Sequence, residues 1–156
     1  YQITSPILVA LTQARRYIRR AVLVMQHEVA RRLIASPGTK SYGRLSILGQ
    51  YGWTLTLAFR VPRSAFFPQP GVDSACLLMV PRTRPLVAVR NERRFFDVVA
   101  AAFGQRRKTL ANCLSAAGFM SRGQAQELLA AQGLPAAVRG EALSLEQFAH
   151  VANALV

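Results

Sequence analysis

An α/β portion followed by a small all-α domain is the fold class the sequence predicts, on three observations. Ile7, Leu11, Ala14 and Ile18 recur at helical spacing and lead into Ala21-Val22-Leu23-Val24-Met25, a short and wholly apolar run. A helix feeding a strand is the order of α/β proteins, and an all-apolar strand reads as buried on both faces, as in a parallel sheet. Trp53, Leu55, Leu57, Phe59 and Val61 alternate with Thr54, Thr56, Ala58 and Arg60, the period of a strand. From Arg93 onward every pattern is helical. The expected division is 1–82 and 83–156.

Each element has local reasons. Ser5 can cap the first helix and Pro6 suits its first position. Arg15, Arg16, Arg19 and Arg20 crowd toward that helix's C-terminal end, where cations complement the dipole. After the apolar strand come Gln26, His27 and Glu28, in a place where α/β proteins build sites; they can equally begin the short helix of Val29, Leu33 and Ile34 that stops at Pro37-Gly38. Tyr42 to Tyr51 reads as a helix before the alternating strand. Pro62 ends that strand, and Asp73 to Val80 forms the next. With a loop and no helix between them, the two should pair antiparallel.

The loop carries Phe66 and Phe67. Adjacent extended residues point to opposite sides, so both rings cannot enter one core. One can face a ligand, where a base stacked on an aromatic is worth about 1–3 kcal/mol; both can instead cover the sheet edge. Pro81 to Glu92 reads as a linker. Beyond it, Phe95, Val98, Val99 and Ala102 make one helical face, and Leu110, Cys113, Leu114 and Ala117 the next. Ser121 with Gln124 and Ser144 with Gln147 match the capping-box pattern.

Between the first two of those helices lies Phe103-Gly104-Gln105-Arg106-Arg107-Lys108-Thr109-Leu110, where a glycine break is followed by three cations that open the next helical pattern. A cation in a first helical turn is disfavoured by about 0.3–1 kcal/mol, and a phosphate bound there reverses the sign. A solvated surface run is the bland alternative. The charge balance speaks for the phosphate: the chain carries 20 Lys and Arg against 7 Asp and Glu, a net +13 on 156 residues. Residues 1–108 hold a net +14 and residues 109–156 a net −1. Such a lopsided excess is the footprint of a polyanion, nucleic acid before membrane.

Other chemistries are poorly supported. The apolar stretches are far short of the roughly 20 residues a membrane span needs. Cys76 and Cys113 make neither a disulfide framework nor a metal cluster and read as buried thiols of a reducing compartment, and His27 and His150 lack ligand spacing, so no metal is expected. There is no G-x-G-x-x-G and no carboxylate pair to suggest another reaction.

Several stretches together resemble the KsgA family of ribosomal RNA adenine dimethyltransferases, nearly end to end. Tyr1-Gln2-Ile3-Thr4-Ser5-Pro6 is similar to the end of the family's Asn-Leu-Pro-Tyr motif and the helix after it, and Val24 to Ala30 to its next strand and turn. Tyr42-Gly43-Arg44-Leu45-Ser46, Val61-Pro62-Arg63-Ser64-Ala65-Phe66-Phe67-Pro68, Val72-Asp73-Ser74-Ala75 and Ala102 to Leu110 follow in the family's order. The resemblance implies the C-terminal part of a Rossmann-like S-adenosylmethionine-dependent methyltransferase domain and then a helical RNA-binding domain.

It also implies the reaction: methyl transfer from S-adenosylmethionine to the exocyclic amines of two adjacent adenosines near the 3′ end of small-subunit rRNA, in a cytoplasmic pre-ribosomal particle, by a monomer. Tyr1 and Phe66 would stack on the target adenine, while Gln105, Arg106, Arg107, Lys108 and Arg63 would hold RNA. The family's glycine-rich cofactor loop, its ribose-binding acid and the asparagine of its motif have no counterpart here and are expected upstream of Tyr1, which would leave the isolated chain inactive. Two other functions compete: a non-catalytic rRNA-binding assembly factor, and a large-subunit rRNA methyltransferase conferring antibiotic resistance. A helical DNA-binding module at 93–156 is weaker, since few cations lie past residue 109.

Overall fold

The computed structural model describes residues 4–105 and 107–155. The chain forms two compact units, one holding the chain up to Ser36 together with Ser41–Leu86, the other holding Pro37–Lys40 and the chain from Val87 onward.

In the first unit the order is α1 (Thr4–Ala14), β1 (Ala21–Gln26), α2 (His27–Leu33), α3 (Arg44–Gly52), β2 (Trp53–Val61) and β3 (Ser74–Pro81). The sheet order is β1-β3-β2, with β3 antiparallel to both neighbours. The antiparallel pairing of β2 with β3 follows from the loop between them, as the sequence predicts. β1 corrects the expectation of a strand buried on both faces in a parallel sheet. It pairs antiparallel with β3 at the sheet's edge, and its burial alternates: Met25 is 2% exposed while Val22 and Val24 are 60% and 62% exposed. An apolar run says that either face could be covered; the structure covers one. On that face Leu8, Met25, Ala30, Leu33, Trp53, Ala75, Leu77 and Met79 pack into a core.

α1 corrects a second detail. It already includes Thr4, so Ser5 and Pro6 lie within the helix and not at its start; it ends at Ala14 and continues as the 3-10 turn Arg15–Tyr17, which carries Arg15 and Arg16, while Arg19 and Arg20 lie beyond. Arg15 Nη1 donates to the Thr12 carbonyl at 3.1 Å.

β2 contains a third difference. Its register against β3 slips between Leu57, opposite Leu77, and Phe59, opposite Cys76. An extra residue inverts the alternation beyond it, so Phe59 leaves the apolar stripe of Trp53, Leu55 and Leu57 and is 59% exposed. The same slip brings Arg60 opposite Ala75, on the side toward which Asp73 also points by the two-residue period.

The second unit is helical: α4 (Glu92–Gly104), α5 (Leu110–Ala116), α6 (Arg122–Ala131) and α7 (Leu145–Asn153). Phe95, Val98, Val99, Ala102, Leu110, Leu114, Leu129, Phe148 and Val151 are buried. Both capping boxes form: Ser121 and Ser144 accept from the amides of Gln124 and Gln147, whose side chains accept from the serine amides in return. Gly140 lets a short turn press on α4, for a Cβ there would lie 2.9 Å from the Ala102 Cβ and 3.0 Å from its carbonyl oxygen.

Candidate functional site

Two groups of sequence-predicted residues fall in different units, and each is a local construction. The first is the loop between β2 and β3. It is held by one carboxylate. Asp73 Oδ2 accepts from Arg60 Nε at 2.8 Å and from Arg60 Nη2, while Oδ1 accepts from the Arg63 amide at 2.8 Å. The Asp73 carbonyl accepts from the His27 amide at 3.0 Å, tying the loop to the end of β1. The hydrogen bonds from Arg60 and then from the Arg63 amide hold the Asp73 carboxyl below its ordinary pKa, so it is ionised at neutral pH. The sequence motif containing Asp73 carries no expectation of an anchoring role, although Arg60 and Asp73 flank the loop at its two strand ends.

From that anchored loop the two rings diverge. Phe66 has extended backbone angles and is 37% exposed, whereas Phe67 is fully exposed. The two neighbouring rings are thus unequally covered, as they would be if they faced different sides of the loop. At the foot of the loop an open cleft of about 310 Å³ is lined by His27, Glu28, Arg63, Gly71, Val72 and Asp73. His27 and Glu28 begin α2, and Glu28 is paired with Arg32 one turn on. Tyr1 lies outside the described residues.

The second group is the turn between α4 and α5. The expectation that three cations open a helix is corrected: α5 starts at Leu110 with Thr109 as its cap, so Arg107 and Lys108 precede it, and Arg106 lies outside the described residues. The Leu110 amide donates to the Val138 carbonyl at 2.8 Å and the Asn112 amide to Thr109 Oγ1 at 3.4 Å. With those first-turn donors engaged, the helix end is not a phosphate cradle; what the turn offers is exposed cationic side chains. Its shape is fixed by the Lys108 amide donating to the Gln105 carbonyl at 2.9 Å. Cys113, buried, reaches the same carbonyl through its thiol at 3.8 Å, and burial pushes the thiol pKa up, so it stays protonated.

A cofactor cradle can be sought where glycines open space. Gly49 and Gly52 face the side chains of Leu33, Leu55 and Arg15, and Gly140 faces Ala102, so their missing Cβ atoms serve packing. Among the described residues no cluster of three or more His, Cys, Asp or Glu is placed to hold a metal ion. No helix among them is long and apolar enough to cross a membrane.

The chain is 48% identical over 157 residues to the ribosomal RNA small subunit methyltransferase A of Lactococcus lactis, covering 100% of this chain and 53% of that protein. It is 45% identical to the protein of the same name from Moorella thermoacetica, covering 99% and 54%. The chain thus spans about half the length of these relatives. Among solved structures it is similar to a dimethyladenosine transferase from Plasmodium falciparum, at 24% identity and a TM-score of 0.82 over 97% of this chain and 62% of that one. It is also similar to the 23S rRNA methyltransferase ErmE, at 25% identity and a TM-score of 0.67 over 99% and 62%. The α/β class is common to these structures, and the profile of one family, ribosomal RNA adenine dimethylase, matches residues 1–156; the chain belongs to that family.

Proposed function

We propose that this chain supplies the base-stacking loop and part of the RNA-holding surface for dimethylation of two adjacent adenosines near the 3′ end of small-subunit rRNA, during assembly of the particle in the cytoplasm. The observation that carries this is the anchored loop, because a ring that must hold a base has to be presented from fixed backbone. Asp73 fixes it at both ends through Arg60, Arg63 and His27. Residues 1–82 would then belong to the methyltransferase domain and 83–156 to a helical RNA-binding domain, with the protein acting as a monomer.

Methylating an exocyclic amine makes little demand on acid–base catalysis; the nitrogen must be held in line with the methyl donor, so positioning dominates. Phe66 would stack on the extracted adenine, with Tyr1 on its other face, and unstacking the base from its neighbours is compensated by such contacts. Arg63 lies at the foot of the same loop, and Gln105, Arg106, Arg107 and Lys108 would hold the backbone. S-adenosylmethionine would supply the methyl group, and the roles assigned to this chain are to hold the base and the RNA.

Similarity to ErmE keeps large-subunit rRNA as a second reading. The 45–48% identity to small-subunit enzymes favours the first. The test is a chimera in which this chain replaces the matching half of the Lactococcus lactis relative. It should methylate small-subunit and not large-subunit particles, and Phe66→Ala should lower the rate roughly 5- to 150-fold, the worth of one stacked base, with RNA affinity changed much less. Equal losses of rate and affinity would reassign Phe66 to the fold or to general RNA contact.

A further inference from the structure

The end of the sheet opposite the aromatic loop carries its own concentration of charge. β1 and β2 start there and β3 ends there, since Ala21 pairs with Met79 and Trp53 with Pro81. The turn Arg15–Tyr17, Arg19 and Arg20 lead into β1, while Arg82 and Arg84 follow β3. The two stretches meet at the end of α3: Arg15 packs 3.1 Å from where a Gly52 Cβ would be and 5.8 Å from the Tyr51 ring centroid, and the Arg82 and Leu86 amides donate to the Gly52 and Tyr51 carbonyls at 2.9 and 2.8 Å. Arg15 and Arg82 are thereby committed to structure, Arg82 Nε also donating to the Trp53 carbonyl at 3.2 Å.

Arg16, Arg19, Arg20 and Arg84 are exposed. The helix dipole does not account for Arg19 and Arg20, which lie beyond both α1 and the turn Arg15–Tyr17, because its influence fades outside the last turn. Nor do acids. This unit holds eleven arginines and only two acidic residues, Glu28 and Asp73, both at the other end of the sheet and paired there with Arg32 and Arg60. Amid these cations stands Tyr17, 75% exposed, with the Arg16 guanidinium 4.6 Å from its ring centroid. A guanidinium on one face of an exposed ring leaves the other for a base, and cations interleaved with an aromatic are the pattern of single-stranded nucleic-acid binding.

We propose that this end of the sheet is a second RNA-binding surface, where Arg16, Arg19, Arg20 and Arg84 contact phosphates and Tyr17 stacks on an unpaired base. It rests on the reading that the chain acts on RNA. The RNA segment held here is distinct from the one carrying the target adenine, because the nine residues of β2 separate the two ends by about 30 Å at 3.3 Å per residue.

The test measures binding of a fluorescent single-stranded oligoadenylate to the full chain across a salt series. Changing Arg16, Arg19, Arg20 and Arg84 together to Gln should lower the log–log salt slope by about 0.7 per lost contact, or two to three units in all. Changing the same four to Lys should keep the slope, and Tyr17→Ala should weaken binding roughly 5-fold or more at constant slope. If the Gln variant keeps the slope while Arg107→Gln with Lys108→Gln lowers it, the second surface is overturned and the RNA reading stands. If the unaltered chain binds no RNA at low salt, both fall. If the Gln variant loses only binding to phosphatidylglycerol vesicles, the arginines face a membrane and the surface is again overturned.

Discussion

At Gly140 a short turn comes close against the backbone of α4, and adding one methyl group there should have a large effect. A Cβ would lie 2.9 Å from the Ala102 Cβ, 3.0 Å from its oxygen and 3.2 Å from its carbonyl carbon. Two of those atoms are backbone of α4, so no side-chain rotation relieves the contact. The turn Gly140–Ala142 or the helix must shift instead, and overpacking of this kind costs about 1–3 kcal/mol. Gly123 in α6 is the control: nothing lies within 4 Å of its Cβ position and its φ is not positive, so Gly123→Ala should stabilise by about 0.5–1 kcal/mol through lower unfolded-state entropy. Hydrogen exchange of the α4 amides reads both. Gly140→Ala should speed exchange roughly 5- to 150-fold and Gly123→Ala should slow or leave it. A Gly140→Ala chain as protected as the unaltered one would refute the reasoning, because it would mean that the two segments can part without cost.

Other outcomes follow from the same contacts. Asp73 has a folded-state pKa below its ordinary 3.8, so the anchoring it provides is fully present above that value and is lost as pH falls through the lowered one. The Arg63 amide should lose its exchange protection on acidification, and Asp73→Asn should abolish that pH dependence; an unchanged Arg63 signal would show that the loop does not need the carboxylate. At the other site, Arg107→Gln with Lys108→Gln should flatten the salt dependence of RNA binding by about 0.7–0.9 per lost contact. Stability should hardly change, since the two cations precede α5 and its cap is Thr109; a large drop in melting temperature would make the turn a structural element first.

Legibility in the sequence followed what each signal can report. Alternation marked β2 as far as Leu57 and capping boxes marked α6 and α7, because those patterns are local. The slip after Leu57 was invisible, since Phe59 and Val61 continue the apolar alternation and only pairing with Cys76 and Ser74 reveals it. The start of α5 was misplaced because Thr109 is followed three residues on by Asn112 in place of Glu or Gln, so no capping box announced it. β1 read as doubly buried because composition cannot say which face has a cover. Two adjacent rings in an extended loop say that one can face a ligand but not which, and only the family resemblance singles out Phe66, whereas Asp73 needed the slip in β2 before Arg60 could be seen to reach it.

That slip links fold to function in the first unit. Without it, Arg60 would share a face with Thr54 and Thr56 and point away from Asp73; with it, the carboxylate gains a guanidinium and the aromatic loop gains an anchor. The same ion pair consumes one of the unit's two acids, and Glu28 with Arg32 consumes the other. The arginines at the far end are left with no acid of their own unit, so like charges face solvent together. An arrangement that is mildly unfavourable in the free protein becomes favourable once phosphates arrive, because contacts that neutralise phosphates release condensed counterions. Of the unit's two acids, Asp73 holds the loop and Glu28 pairs within α2, so the net positive field at the far end is left without compensation.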